Sequence, residues 1–123
     1  MTQPSSLPTV DVGEAERRLR EDPGKPVLLD VREPAEFAEV RAPGALLVPT
    51  STFMDHIDEL PADRPLLVIC GTGVRSAAVT GFLSRGGRTD VANVAGGMKA
   101  WELAGLPIRR GTPEAGEGKL PPA

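Results

Sequence analysis

A chain of 123 residues with 40% hydrophobic and 25% charged residues is long enough for one domain with a real core. A formal charge of −3 gives no reason to expect nucleic acid or a membrane surface as partner. One cysteine excludes an internal disulfide and a multi-cysteine metal site; with no signal peptide or spanning run in view, the cytoplasm is the expected compartment.

Residues 1–8 are polar, carry two prolines and read as a flexible arm. Residues 9–12 suit a short edge strand, and Asp11 or Gly13 is placed to cap a helix running to about Glu21 with Ala15, Arg18 and Leu19 on its apolar stripe. Arg17, Arg18 and Arg20 interleave with Glu14, Glu16, Glu21 and Asp22, which makes a solvated helix face and not a basic patch. Residues 26–31 form a second, buried strand ending in charge at Asp30, Arg32 and Glu33. Glu33-Pro34 is a helix entrance, and the short helix over 34–39 buries Phe37. Pro43-Gly44 makes a turn into a third strand over 45–48. A helix from Ser51 or Thr52 to Leu60 follows, with Phe53, Ile57 and Leu60 inward and the sole histidine, His56, outward between Asp55 and Asp58.

Leu66-Leu67-Val68-Ile69 is a short apolar run that reads as a strand buried on both faces, and it ends in Cys70. Gly71 and Gly73 allow a tight turn with free backbone N–H groups. From Ser76 the period becomes helical, with Ala78, Val79, Phe82 and Leu83 on one stripe until Gly86-Gly87. A last strand covers 91–94, and Gly96-Gly97 passes close to the Cys70 loop. A short helix over 98–104 carries Trp101 as a packing anchor. Residues 109–123, rich in glycine and proline, are expected to be a disordered tail, leaving 9–108 as the folded domain. Strands alternate with helices throughout, so the fold class is α/β, a five-stranded, mainly parallel sheet flanked by helices.

A thiol at the carboxyl end of a central strand, facing a loop that opens into a helix, lies where α/β sheets bind ligands. Unpaired loop amides, the helix dipole and the Arg75 guanidinium all favour its thiolate. A lone cysteine also serves as a small core hydrophobe. The sequel Gly71-Thr72-Gly73-Val74-Arg75-Ser76 favours the reactive thiol. Asp30 is placed to brace Arg75 or Arg32 at the mouth of the crevice.

Four segments, Asp30 to Phe37, Pro43 to Ala45, Cys70 to Ser76 and Gly96 to Pro107, stand in the order and spacing of a rhodanese domain, and the chain resembles that family over residues 10–108. It departs from it at Arg41-Ala42, where the family usually has histidine and isoleucine. The resemblance implies a sulfurtransferase without cofactor or metal. Cys70 would take a sulfane sulfur from a small donor, thiosulfate or 3-mercaptopyruvate, and pass the persulfide sulfur to cyanide, a thiol or an acceptor protein. Gly71, Thr72, Gly73, Val74 and Arg75 would form the anion-binding loop, supported by Asp30, Arg32 and Ser76. Phosphatases and arsenate reductases of similar fold place one more residue between cysteine and arginine, so the shorter loop here suits a single sulfur better. A persulfide carrier without turnover is the other alternative. Thiosulfate-using relatives often carry arginine where this chain has Gly71. Cys70-Gly71-Thr72-Gly73-Val74 is similar to mercaptopyruvate loops, whereas Arg75-Ser76 resembles the single-domain thiosulfate group.

Overall fold

The computed structural model describes residues 7–121. Most of the expected N-terminal arm, and the last two residues of the expected tail, lie outside the described residues. Five strands, β1 (Thr9–Val10), β2 (Val27–Asp30), β3 (Leu46–Leu47), β4 (Leu66–Ile69) and β5 (Val91–Val94), form one parallel sheet in the order β1-β5-β4-β2-β3. Helices α1 (Val12–Glu21), α2 (Pro34–Glu39), α3 (Phe53–His56), α4 (Val74–Arg85) and α5 (Gly97–Leu103) connect and cover it. Among the described residues no helix is long and apolar enough to cross a membrane.

The central strand alternates between two cores. Leu67 and Ile69 face Phe37, Met98 and Trp101; Leu66, Val68 and Cys70 face Phe53, Leu60, Val79 and Leu83. Burial on both faces is why the run is apolar throughout. β4 pairs with β2 and β5 on its two sides, so Cys70 emerges mid-sheet at the carboxyl end of the strands.

Several elements differ in detail from expectation. Asp11 caps α1 by accepting from the Glu14 N–H at 2.8 Å, so β1 ends before it. The helix expected from Ser51 or Thr52 is a single α turn flanked by 3₁₀ turns at Thr50–Thr52 and Ile57–Glu59, and β3 is only two residues long. In α4 the stripe over the sheet is Ser76, Val79, Thr80 and Leu83, while Ala78 and Phe82 are exposed. Turning Ser76 toward Cys70 sets that rotation, because i, i+3, i+4 and i+7 share one face. Trp101 is the packing anchor expected, buried with Nε1 donating to the Pro107 carbonyl at 2.8 Å.

The expected disorder from residue 109 onward is corrected by the structure: residues 109–121 lie packed along α2 and β3. Arg41 and Arg109 exchange backbone bonds at 2.9 and 2.8 Å, and the Leu47 N–H donates to the Gly118 carbonyl at 2.7 Å. The Arg41 side chain, 1% exposed, donates to both Glu117 oxygens at 2.6 and 3.0 Å and to the carbonyls of Gly111 and Phe37. Its guanidinium also sits 5.5 Å from the Phe37 ring centre. A buried arginine needs partners for its donors, and the tail supplies them. Composition alone does not reveal that demand.

Candidate active site

Cys70 follows β4 directly and is 1% exposed. Its Sγ accepts from the Gly73 N–H at 3.1 Å and from the Ser76 hydroxyl at 3.2 Å. Burial, the largest single influence, opposes ionisation of the thiol. The Ser76 hydroxyl and the amides of Ser76, Gly73 and Thr72 together outweigh it, and the pKa is lowered from the ordinary thiol value.

Two glycines make this loop possible. Gly73, at φ +101°, turns the chain so that its N–H points at sulfur. Gly97, at φ +58°, lies flat against the loop, where a Cβ would run into the Cys70 carbonyl oxygen and come within 2.7 Å of the Gly71 carbonyl. That close approach lets the Met98 N–H donate to Cys70 O at 2.7 Å and the Lys99 N–H to Gly71 O at 3.0 Å. The glycine pair is therefore adjacent to the loop, and it fixes the outward carbonyls while the loop's own amides turn inward.

Arg75 makes no hydrogen bond to Cys70. It donates from Nη1 and Nη2 to the two Glu36 oxygens at 2.7 and 2.9 Å, and its Nη2 lies 3.3 Å from where a Cβ on Gly71 would be. The guanidinium thus lies beside the loop, held by a carboxylate on α2. Arg75 holds the Glu36 carboxyl down at about 2, and Glu36 in turn raises Arg75. Glu36 also forms the capping box of α2 with Glu33, accepting from the Glu33 N–H at 3.0 Å. Sequence reasoning missed Glu36. Its signal was its position three residues after Glu33, which puts it at the helix N-terminus, on the side of the sheet where Cys70 emerges.

Asp30 bonds Arg32 and not Arg75. Arg32 donates from Nε and Nη2 to Asp30 at 2.8–3.1 Å, with both side chains buried. The remaining Arg32 donors reach the carbonyls of Glu36 at 3.3 Å and Val40 at 2.7 Å. This pair therefore sits under α2 and locates the helix that carries Glu36. Thr72 and Val74 are exposed at the rim, Val74 by 75%. His56 is far from this arrangement in its bonding: it is half-exposed beside Glu59 at 3.2 Å.

The arrangement surrounds the Cys70 sulfur with donors that favour its thiolate, beside a guanidinium held by a carboxylate and with Thr72 and Val74 exposed at the rim. A family model described as the rhodanese-like domain matches residues 11–104. The chain is 38% identical over 82 residues to a sulfurtransferase of Allochromatium vinosum, covering 67% of this chain and 77% of that one. It is 37% identical over 82 residues to the thiosulfate sulfurtransferase GlpE of Actinobacillus succinogenes, covering 67% and 74%. The crystal structure of a rhodanese-related protein from Thermoplasma volcanium superposes with a TM-score of 0.73 at 30% identity, covering 83% of this chain and 97% of that one.

Proposed function

The chain belongs to the rhodanese-like family of sulfurtransferases, and on that premise we propose that Cys70 carries sulfane sulfur as a persulfide between a small donor, thiosulfate or 3-mercaptopyruvate, and a thiophilic acceptor. The observation that carries this reading is the Cys70 Sγ accepting from the Gly73 amide and the Ser76 hydroxyl, with its pKa lowered. A thiolate is the nucleophile that the first step requires.

With thiosulfate, the Cys70 thiolate attacks the outer sulfur. The new S–S bond forms as the bond to the sulfonate sulfur breaks, and sulfite leaves with the electron pair. The product, Cys70–S–S⁻, carries its charge one atom further out, within reach of the loop amides. Six residues from Cys70 to Arg75 make a ring suited to one added sulfur. In the second step a nucleophile, cyanide in an assay or a thiol or acceptor protein otherwise, attacks the outer sulfur and returns the thiolate. No second cysteine exists in the chain to take the sulfur internally. Thr72, Gly73, Val74 and Gly71 supply the ring, Ser76 holds the thiolate, and Arg75 stiffens the loop through Glu36. Asp30 and Arg32 hold α2 in place.

Intact mass tests the reading. After incubation with thiosulfate or mercaptopyruvate and desalting, the mass rises by one sulfur atom, and cyanide removes it. An unchanged mass with both donors, on folded protein whose thiol still alkylates, overturns the proposal. Stable loading without cyanide turnover would instead identify a carrier.

A further inference from the structure

The charges around the Cys70 loop largely cancel one another. Arg75 is matched by Glu36, and Arg32 by the buried Asp30. Glu33, beside Glu36, has its carboxylate on the Ser51 hydroxyl at 2.8 Å. Gly71 contributes no side chain. Among the described residues, an anionic donor approaching a thiolate meets no free cation on that side of the rim.

Lys99, on the opposite rim, is different. Its backbone N–H is bonded to the Gly71 carbonyl at 3.0 Å, so its α-carbon stands against the loop itself. Helical side chains tilt toward the N-terminus, and on α5 that is the end whose amides bond the Cys70 and Gly71 carbonyls. The neighbouring Met98 and Trp101 are buried, while Lys99 is exposed. Among the described residues its ammonium has no carboxylate within salt-bridge distance, because Glu102, three residues along, is taken by Arg110 at 3.1 Å. The turn of α5 that bonds the Gly71 carbonyl thus carries an exposed, flexible four-carbon stem with an unmatched charge among the described residues.

We propose that the Lys99 ammonium receives the anionic end of the sulfur donor while its sulfane sulfur enters the Cys70 loop, and so sets the preference for anionic over neutral electrophiles. This deepens the sulfurtransferase reading and rests on it for the identity of the donor. A donor whose outer sulfur sits in the ring must point its charged end outward. The Arg75 guanidinium is already paired with Glu36, whereas the Lys99 ammonium has no carboxylate partner among the described residues. The role is selection and steering, not chemistry at sulfur.

The test uses the sole cysteine as reporter, with iodoacetate as an anionic electrophile and iodoacetamide as its neutral counterpart. In the Lys99→Gln protein the ratio of the two alkylation rate constants at low salt falls about three- to fivefold, the upper part of the range for an exposed charge contact. Lys99→Arg keeps the ratio within about twofold, and the difference shrinks at high salt. An unchanged ratio in Lys99→Gln, or an equal fall in both rate constants, overturns the assignment. Persulfide loading from thiosulfate on the same proteins separates the two claims: a wild-type chain that discriminates by charge but takes up no sulfur removes the sulfur-transfer reading alone.

Discussion

Helix α2 is gripped from two ends, and the two grips are built differently. At its C-terminal end, Arg32 and Arg41 are buried and cap the carbonyls of Glu36, Phe37 and Val40, each arginine also held by a carboxylate, Asp30 or Glu117. At its N-terminal end, Glu36 meets Arg75 with both side chains about 40% exposed. Buried pairs are poor net sources of stability but costly to break, because the surviving charge stays unpaired away from water. Exposed pairs contribute little energy and are screened by salt. The C-terminal end therefore fixes where the helix is. The N-terminal end uses that fixed helix to aim a guanidinium at the Cys70 loop.

Asp30→Asn tests the contrast most severely. It leaves the Arg32 guanidinium buried with half its ion pair gone, and about 3–5 kcal/mol of stability is lost. A urea midpoint close to wild type would show that the two ends of α2 are not so different. Arg75→Lys touches the other end. It keeps the charge but not the paired donors to Glu36, so it loses about ten- to a hundredfold in kcat/KM for sulfur transfer, nearly as much as Arg75→Ala, while the midpoint moves little. A lysine variant with near-wild-type activity would mean that a point charge suffices. The smallest effect is in acid. Glu36 is held down at about 2 in the folded chain against an ordinary 4.5, so its contribution to stability is complete above 4.5 and disappears as pH falls toward 2. Glu117 is lowered to about 2 as well, with the same sign. Stability measured between pH 5 and 2 thus falls less steeply in Glu36→Gln than in wild type. Equal slopes would remove the Arg75–Glu36 pair from the folded state in solution.

Sequence alone made the scaffold legible because its signals are local. The apolar run before Cys70, the Glu33-Pro34 entrance and the glycines after Cys70 and Val94 each state a backbone requirement within a few residues. Cys70, Gly73 and Ser76 converge as that local grammar implies. What stayed hidden depends on partners far along the chain. Glu36 and Arg75 are 39 positions apart, and Arg41 and Glu117 are 76 apart. Nothing near Arg41 announces that it will be buried, and so nothing near Glu117 announces that the tail has a place to go. Phe82 misled for a related reason: its apolar character suggested the inner face of α4, but the demand of Cys70 for the Ser76 hydroxyl determines which face turns in.

Gly97 pressed against the Cys70 and Gly71 carbonyls has an engineering consequence. The size of the Cys70 loop is governed by α5, a helix whose other contacts belong to the opposite core from Cys70. The loop is therefore not a portable peptide. Transplanting residues 70–76 into another sheet without a glycine-led helix beside them would leave two outward carbonyls without donors. Inserting one residue to enlarge the ring for a tetrahedral oxyanion would push those carbonyls into the α5 backbone. A change of chemistry on this scaffold has to begin at Gly96-Gly97, away from the thiol itself.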